Sequence, residues 1–216
     1  MIEEKTIKLF KKVSHDKDIL KHLNYLKKHH KETYEHSIRV GLLCIYLGFE
    51  NHLQLKEVIA LGYSGFLHDI GKLDIPFSIL SKKGKLSKKE MQKIKEHPRK
   101  GFLRLKEKKF KSVREIVIAH HEFAINPYPR TFLDRRNKKR KEKRRHNKKT
   151  YYKLAQILSV ADHYDALYNK RSYKEPLTCK EIKEIMKKQF KGKKFYINQV
   201  VEKCLLENPL QIKELK

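Results

Sequence analysis

Five histidines and three carboxylates in this sequence are spaced as metal chemistry needs them. Glu32 and His36 stand at i and i+4, which on a helix projects both from one face. His68 and Asp69 are adjacent and run into Gly71, where the chain reverses. His97 precedes Pro98, and His120, His121 and Glu122 are consecutive. Asp162 closes the apolar stretch LAQILSVAD, about one helix face from Ala155 and Leu158. Singly, each has an ordinary account: a histidine at a helix C-terminus is commonly a cap or a dipole partner, a His pair commonly sits on a surface, and a buried aspartate commonly accepts hydrogen bonds. Jointly, imidazoles and carboxylates that repeatedly end core helices are what a multinuclear metal site requires. Neutral imidazole nitrogens and carboxylate oxygens suit Fe, Mn or Zn. Carboxylates can also bridge two ions about 3.5–4 Å apart, as in two-metal hydrolases.

The elements that must position these groups are helices. Apolar residues recur at helical spacing almost everywhere, and strand-like alternation is nearly absent. Ile7, Phe10 and Val13, then Leu20, Leu23 and Leu26, predict two short helices before residue 30. Thr33 is placed to cap a helix that runs to Leu47 and ends at Gly48. Residues 54–69 read as a third helix, and 72–86 as a surface loop. Ser87 with Glu90 is a capping box opening a helix to about His97, after which Pro98 starts a new segment. Helices are also expected over 111–122, from about Tyr151 to Tyr168, and over 177–190 and 197–206, with a long loop over 126–149. The expected fold is an all-α bundle.

Composition narrows the function classes. The 216 residues carry 36% charged and 39% hydrophobic side chains, and the longest apolar run, Val40 to Phe49, is about half of the roughly 20 residues a membrane span needs. The first residues, MIEEKTIKLFKK, place charges where an export signal needs an apolar stretch. The cysteines, Cys44, Cys179 and Cys204, have no paired spacing, which excludes a disulfide framework and a Cys-based zinc site. A cytoplasmic location is expected. The net charge of +28 implies attraction to polyanions, although Lys-rich composition alone can produce such a surface. Residues 130–150 hold 12 Lys/Arg against Asp134 and Glu142, and 135–149 read as a mobile basic loop that could touch nucleic acid or draw in a phosphate-bearing substrate.

The string HSIRV…FLHDIGKLDIP…EHPRKG…HHE…SVADHYDAL…RSYK resembles the HD-domain metal-dependent phosphohydrolases, in particular their HD-GYP branch. The resemblance covers roughly residues 30–205 and implies an HD-domain helical bundle with a metal site in its core. It divides the chain into an N-terminal helical extension over 1–30, a catalytic domain over 31–206 with the basic insertion 130–149, and a tail over 207–216. By resemblance, His36, His68, Asp69 and Asp162 are metal ligands, with Asp69 bridging. His97, His120 and His121 are the additional ligands of the HD-GYP branch, and Glu32 falls on a residue that some members use for a third ion. Two or three divalent ions, Fe or Mn, are implied. Lys72 falls on the lysine beside the scissile phosphate, and Arg171 and Lys174 on a phosphate-holding pair.

The implied activity is hydrolysis of cyclic di-GMP, in which a metal-bridging hydroxide attacks phosphorus, Asp69 and Lys72 serve the chemistry, and Lys72, Tyr128, Arg171 and Lys174 hold the substrate. The name-giving Gly-Tyr-Pro is altered: Pro127 precedes Tyr128 and Pro129. Proline fixes φ near −65° where glycine leaves it open, so Tyr128 is expected on a differently shaped loop. Two further readings follow from that change and from the basic insertion. One is hydrolysis of another phosphate ester, such as a different cyclic dinucleotide, a nucleotide or RNA. The other is non-catalytic nucleotide or RNA binding, which leaves so complete a ligand set without a use. The oligomeric state is not legible.

Overall fold

The computed structural model describes residues 1–123, 144–169 and 177–190, with backbone only over 144–149. Among these residues the secondary structure is helical, with no strand. Helices α1 (Ile2–Ser14) and α2 (Lys17–His29) confirm the two expected before residue 30, and Asp16 caps the second by accepting from the Asp18 and Ile19 amides. Helix α3 (Lys31–Glu50) and helix α4 (Leu55–Leu67) form the central pair. A 3₁₀ turn (Ile70–Asp74) and the single turn α5 (Phe77–Leu80) occupy part of the expected surface loop. Helix α6 (Lys88–Lys95) opens with the Ser87–Glu90 capping box, and α7 (His97–Arg104) opens with Pro98 in its first turn. Helix α8 (Lys111–Val117), α9 (Arg144–Tyr168) and α10 (Cys179–Gln189) complete the described chain.

Four boundaries differ from the sequence expectation, one being the helix expected over 111–122, which stops at Val117. Helix α3 begins before Thr33, because the His30 imidazole is the cap and its Nδ1 accepts from the Thr33 amide at 3.2 Å. It also runs through Gly48 to Glu50; the residue with positive φ that follows is His52, at 52°, not a glycine. Helix α9 starts at Arg144, so the last six residues of the expected loop 135–149 are its first turns. The helix expected over 197–206 lies outside the described residues.

Packing explains how distant helix ends meet. Helices α3 and α4 lie backbone to backbone: a Cβ on Gly65 would sit 2.8 Å from the Gly41 Cα and 2.9 Å from the Val40 carbonyl oxygen. That contact brings His36 of α3 beside His68, just past the end of α4. One buried cluster joins α3 to α9 and α10 through Leu43, Leu47, Leu158, Ala161 and Met186. A second joins α1, α2, α4 and α8 through Phe10, Ile19, Phe66, Ile70 and Val117. Burial of this apolar surface is the dominant drive to fold. The polar groups described next lie between these clusters and are nearly as buried.

Candidate metal centre

Helix ends supply the candidate ligand atoms. The last carbonyls of a helix have no partner within it. Here three of them accept an imidazole N–H from a histidine three residues on: His68 Nδ1 donates to Gly65 O at 2.8 Å, His97 Nδ1 to Ile94 O at 2.8 Å, and His120 Nδ1 to Val117 O at 2.5 Å. A carbonyl can only accept, so these contacts place the proton on Nδ1 and leave Nε2 as a lone pair aimed away from the helix end. His97 thus closes α6 while opening α7, and His120 lies in the turn after α8 rather than in it, since that helix stops at Val117.

The free nitrogens converge with two carboxylates. His68, Asp69, His97, His120 and Asp162 are each at least nine-tenths buried. Asp69 presents Oδ1 to His97 Nε2 at 3.3 Å, and Oδ2 to His68 Nε2 at 3.4 Å and His36 Nε2 at 3.8 Å. Asp162 presents Oδ1 to His36 Nε2 at 3.0 Å and His68 Nε2 at 3.6 Å, and Oδ2 to His121 Nε2 at 4.0 Å. Each carboxylate therefore points one oxygen at the His36–His68 pair and the other at the His97–His120–His121 group. Within the two groups, nitrogens face each other: His36 and His68 Nε2 at 3.2 Å, His97 and His120 Nε2 at 3.3 Å.

The second facing pair tests whether a cation fits. Both Nδ1 atoms are committed to carbonyls, so two lone pairs meet with no proton to share. Burial pushes His97 down to about 4 and His120 to about 3, so neither charges at neutral pH. Burial likewise holds His121 well below its ordinary value. Neutral imidazoles are the form that binds metal, and an electrophile between them removes the repulsion. At His36, burial opposes charge, but hydrogen bonds to Asp162 and Asp165 outweigh it and raise the group to about 9. Burial also opposes ionisation of Asp69 and Asp162. For Asp69, Lys72 and the surrounding imidazoles reverse that effect; for Asp162, hydrogen bonds with His36 and His68 do. A cradle that keeps two carboxylates ionised and draws a proton onto an imidazole is a cradle that attracts cations.

The structure thus brings together the seven residues His36, His68, Asp69, His97, His120, His121 and Asp162. Glu32 lines a cavity of about 600 Å³ beside them, whose walls also include His36, Lys72 and Asp162. Lys72, on the 3₁₀ turn, reaches back to Asp69 Oδ2 at 2.7 Å and borders the same cavity. Tyr128, Arg171, Lys174 and the basic residues 130–143 lie outside the described residues. Two residues of the centre escape sequence reasoning. Asp165 accepts from His36 Nδ1 at 2.7 Å, and Arg39 grips Asp165 with Nε and a terminal nitrogen at 2.7 and 2.9 Å. The available signal was periodic: Asp165 is one turn beyond Asp162, and Arg39 one turn beyond His36.

Similarity to known proteins agrees with this geometry. The chain is 31% identical over 194 residues to a cyclic di-GMP phosphodiesterase of Thermotoga maritima, spanning 87% of this chain and 48% of that protein. It is 33% identical over 176 residues to 3'3'-cGAMP-specific phosphodiesterase 2 of Vibrio cholerae, spanning 80% of this chain and 31% of that one. The chain therefore spans half or less of these relatives' own length. The crystal structure of the HD domain of the Listeria monocytogenes phosphodiesterase PgpH, in complex with cyclic-di-AMP, superposes with a TM-score of 0.53 at 18% identity over 88% of this chain and 85% of that one, which supports the shared fold. The HD domain model matches residues 33–167, which include His36, the His68-Asp69 doublet and Asp162, and the chain belongs to the HD-domain family.

Proposed function

We propose that this chain is a metal-dependent phosphodiesterase that opens cyclic di-GMP. His36, His68, Asp69, His97, His120, His121 and Asp162 would hold two divalent ions, iron or manganese, and Glu32, which lines the adjoining cavity, would serve a third as the family resemblance implies. The observation that carries the reading is the pair of buried, unprotonated nitrogens of His97 and His120 facing each other at 3.3 Å, flanked by a carboxylate that also serves the opposite histidine pair. Divalent ions in such a centre supply Lewis acidity toward phosphoryl oxygens and a water nucleophile near neutral pH.

The chain's own residues do the rest. Asp69 and Asp162 provide the negative charge that neutral imidazoles cannot. Lys72, already oriented by Asp69, offsets charge that builds on the non-bridging phosphoryl oxygens and needs little reorganisation to do so. The neighbouring cavity, lined by Glu35, Arg39, Ala166 and Asn169 among others, receives the body of the substrate. Tyr128, Arg171 and Lys174 complete the phosphate contacts. The names of the Thermotoga and Vibrio relatives support a cyclic dinucleotide as substrate. A second reading, in which 3'3'-cGAMP is preferred, is favoured by the Vibrio relative and by Pro127 at the position of the usual glycine.

The test is a hydrolysis panel with the protein loaded with Mn²⁺ or Fe²⁺: cyclic di-GMP, 3'3'-cGAMP, cyclic di-AMP, a linear dinucleotide and a short RNA. Cleavage of cyclic di-GMP with the highest kcat/KM is expected. Highest kcat/KM for 3'3'-cGAMP selects the second reading. Cleavage of the linear dinucleotide or RNA with every cyclic dinucleotide left intact overturns both.

A further inference from the structure

The histidines of the centre are oriented in two different ways. His68, His97 and His120 are each tied to a backbone carbonyl of their own helix end, so their orientation comes with the local fold. His36 is in the second turn of α3, where the preceding backbone carbonyls are already used by the helix. Its Nδ1 instead meets the carboxylate of Asp165, which is 129 residues away in sequence and comes from α9. Asp165 is itself 1% exposed and fully engaged: Oδ1 accepts from Arg39 Nε at 2.7 Å and from Asn169 Nδ2 at 2.9 Å, and Oδ2 accepts from Arg39 at 2.9 Å. Arg39 stands on the same helix as His36, one turn on, and borders the cavity.

We propose that Asp165, clamped by Arg39, is the positioning residue of His36 and sets the affinity of one ion position, the one His36 shares with His68 and Asp162, independently of the position formed by His97, His120 and His121. The inference rests on the two-ion reading above. A carboxylate behind a ligating imidazole fixes its ring and raises its basicity, whereas a backbone carbonyl does the first and less of the second; losing such a partner typically weakens metal binding about 10–100-fold. Arg39 gives Asp165 a fixed orientation and a compensating charge, so that the buried carboxylate serves His36 rather than turning toward an ion. The two ion positions therefore differ in what holds them. One uses His97 and His120, each tied to its own helix end, whereas the other also depends on the packing of α9 on α3, which the buried contacts of Val40, Leu43, Leu158 and Ala161 maintain.

The experiment is Mn²⁺ binding to the metal-stripped chain, followed by calorimetry, with thermal unfolding of each metal-free variant alongside. His36→Ala and His97→Ala identify which of two binding events belongs to which position. Asp165→Asn is expected to weaken the event that His36→Ala removes by about 10–100-fold and to leave the event that His97→Ala removes unchanged. Asn leaves Arg39 facing a neutral amide, so Asp165→Asn/Arg39→Met provides a version without the unpaired cation; it is expected to give the same selective loss. Unchanged affinity in both variants overturns the proposal, as does equal weakening of both events. Absence of Mn²⁺ binding by the unsubstituted protein overturns the two-ion reading itself, and this inference with it.

Discussion

At the residue scale each of three helix ends does two jobs. The same unpaired carbonyl that a helix must leave at its C-terminus fixes the tautomer of a histidine three residues on, and the nitrogen left free is the one offered to a metal. Lys72 illustrates how a residue with a dull account can carry chemistry. Its bond to Asp69 at 2.7 Å is an ordinary i,i+3 ion pair, yet the side chain is 23% exposed and borders the cavity. If it acts on the transition state, Lys72→Ala should lower kcat by about 10²–10³, the cost of removing one preorganised charge partner, with metal content retained. Metal analysis and kcat on the same preparation check this; an unchanged kcat would leave Lys72 as a partner of Asp69 only.

At the element scale, the approach of backbones decides whether the ligands meet. Gly71 follows the His-Asp pair, and a Cβ there would fall 2.0 Å from the His97 carbonyl oxygen and 2.5 Å from the Gly101 amide nitrogen. Both are backbone atoms, so α7 must move. Gly71→Ala should cost at least about 2 kcal/mol, or roughly 4–8 °C in Tm for a chain of this size, and should displace His97 enough to weaken metal binding. Gly84→Ala, with nothing within 4 Å of the added carbon, is the matched neutral control. Thermal unfolding of the two variants decides the point.

The N-terminal helices offer a pH test. Burial raises the Asp16 carboxyl, but Lys109, the Tyr63 hydroxyl and the α2 amides outweigh that and hold it below its usual value. A depressed carboxylate contributes stability that is full above about pH 4, its unfolded value, and is lost as pH falls through the lower folded value. Asp16→Asn should therefore unfold at lower urea than the parent at pH 7, and the gap should shrink in acid below about pH 4. A gap that does not narrow in acid would show that ionisation of Asp16 contributes nothing.

Much of this scale was legible in advance. Periodicity placed α1, α2 and α4, and the Ser87–Glu90 pair located α6, because apolar stripes and capping boxes are local signals. Helix α3 was cut short at Gly48 because glycine ends helices in isolation. In the fold, a Cβ there would lie 3.1 Å from Val58, and the helix continues past a glycine that close packing selects. Arg39 and Asp165 were missed for a different reason: each stands one turn from a candidate ligand, but that spacing alone does not pair them until α9 is packed on α3.

At the scale of the whole molecule, the charge of +28 should act on capture rather than on chemistry. The Debye length falls from about 30 Å at 0.01 M to about 8 Å at 0.15 M, so kcat/KM for an anionic dinucleotide should fall over that range while kcat holds. Replacing 135–143 by a short neutral linker, which stops before α9 begins at Arg144, should lower kcat/KM at low salt and flatten its salt dependence. Identical salt profiles for the two proteins would assign the basic run no part in capture.

The central claim is that seven convergent side chains form one two-ion centre on which turnover depends. It is tested most directly by measuring bound metal per chain together with cyclic di-GMP turnover, in the unsubstituted protein and in Asp69→Ala, whose lost carboxylate faces both histidine groups. The account predicts about two ions per chain in the active protein, and loss of metal and turnover together in Asp69→Ala. Full metal occupancy and undiminished turnover in Asp69→Ala would contradict it.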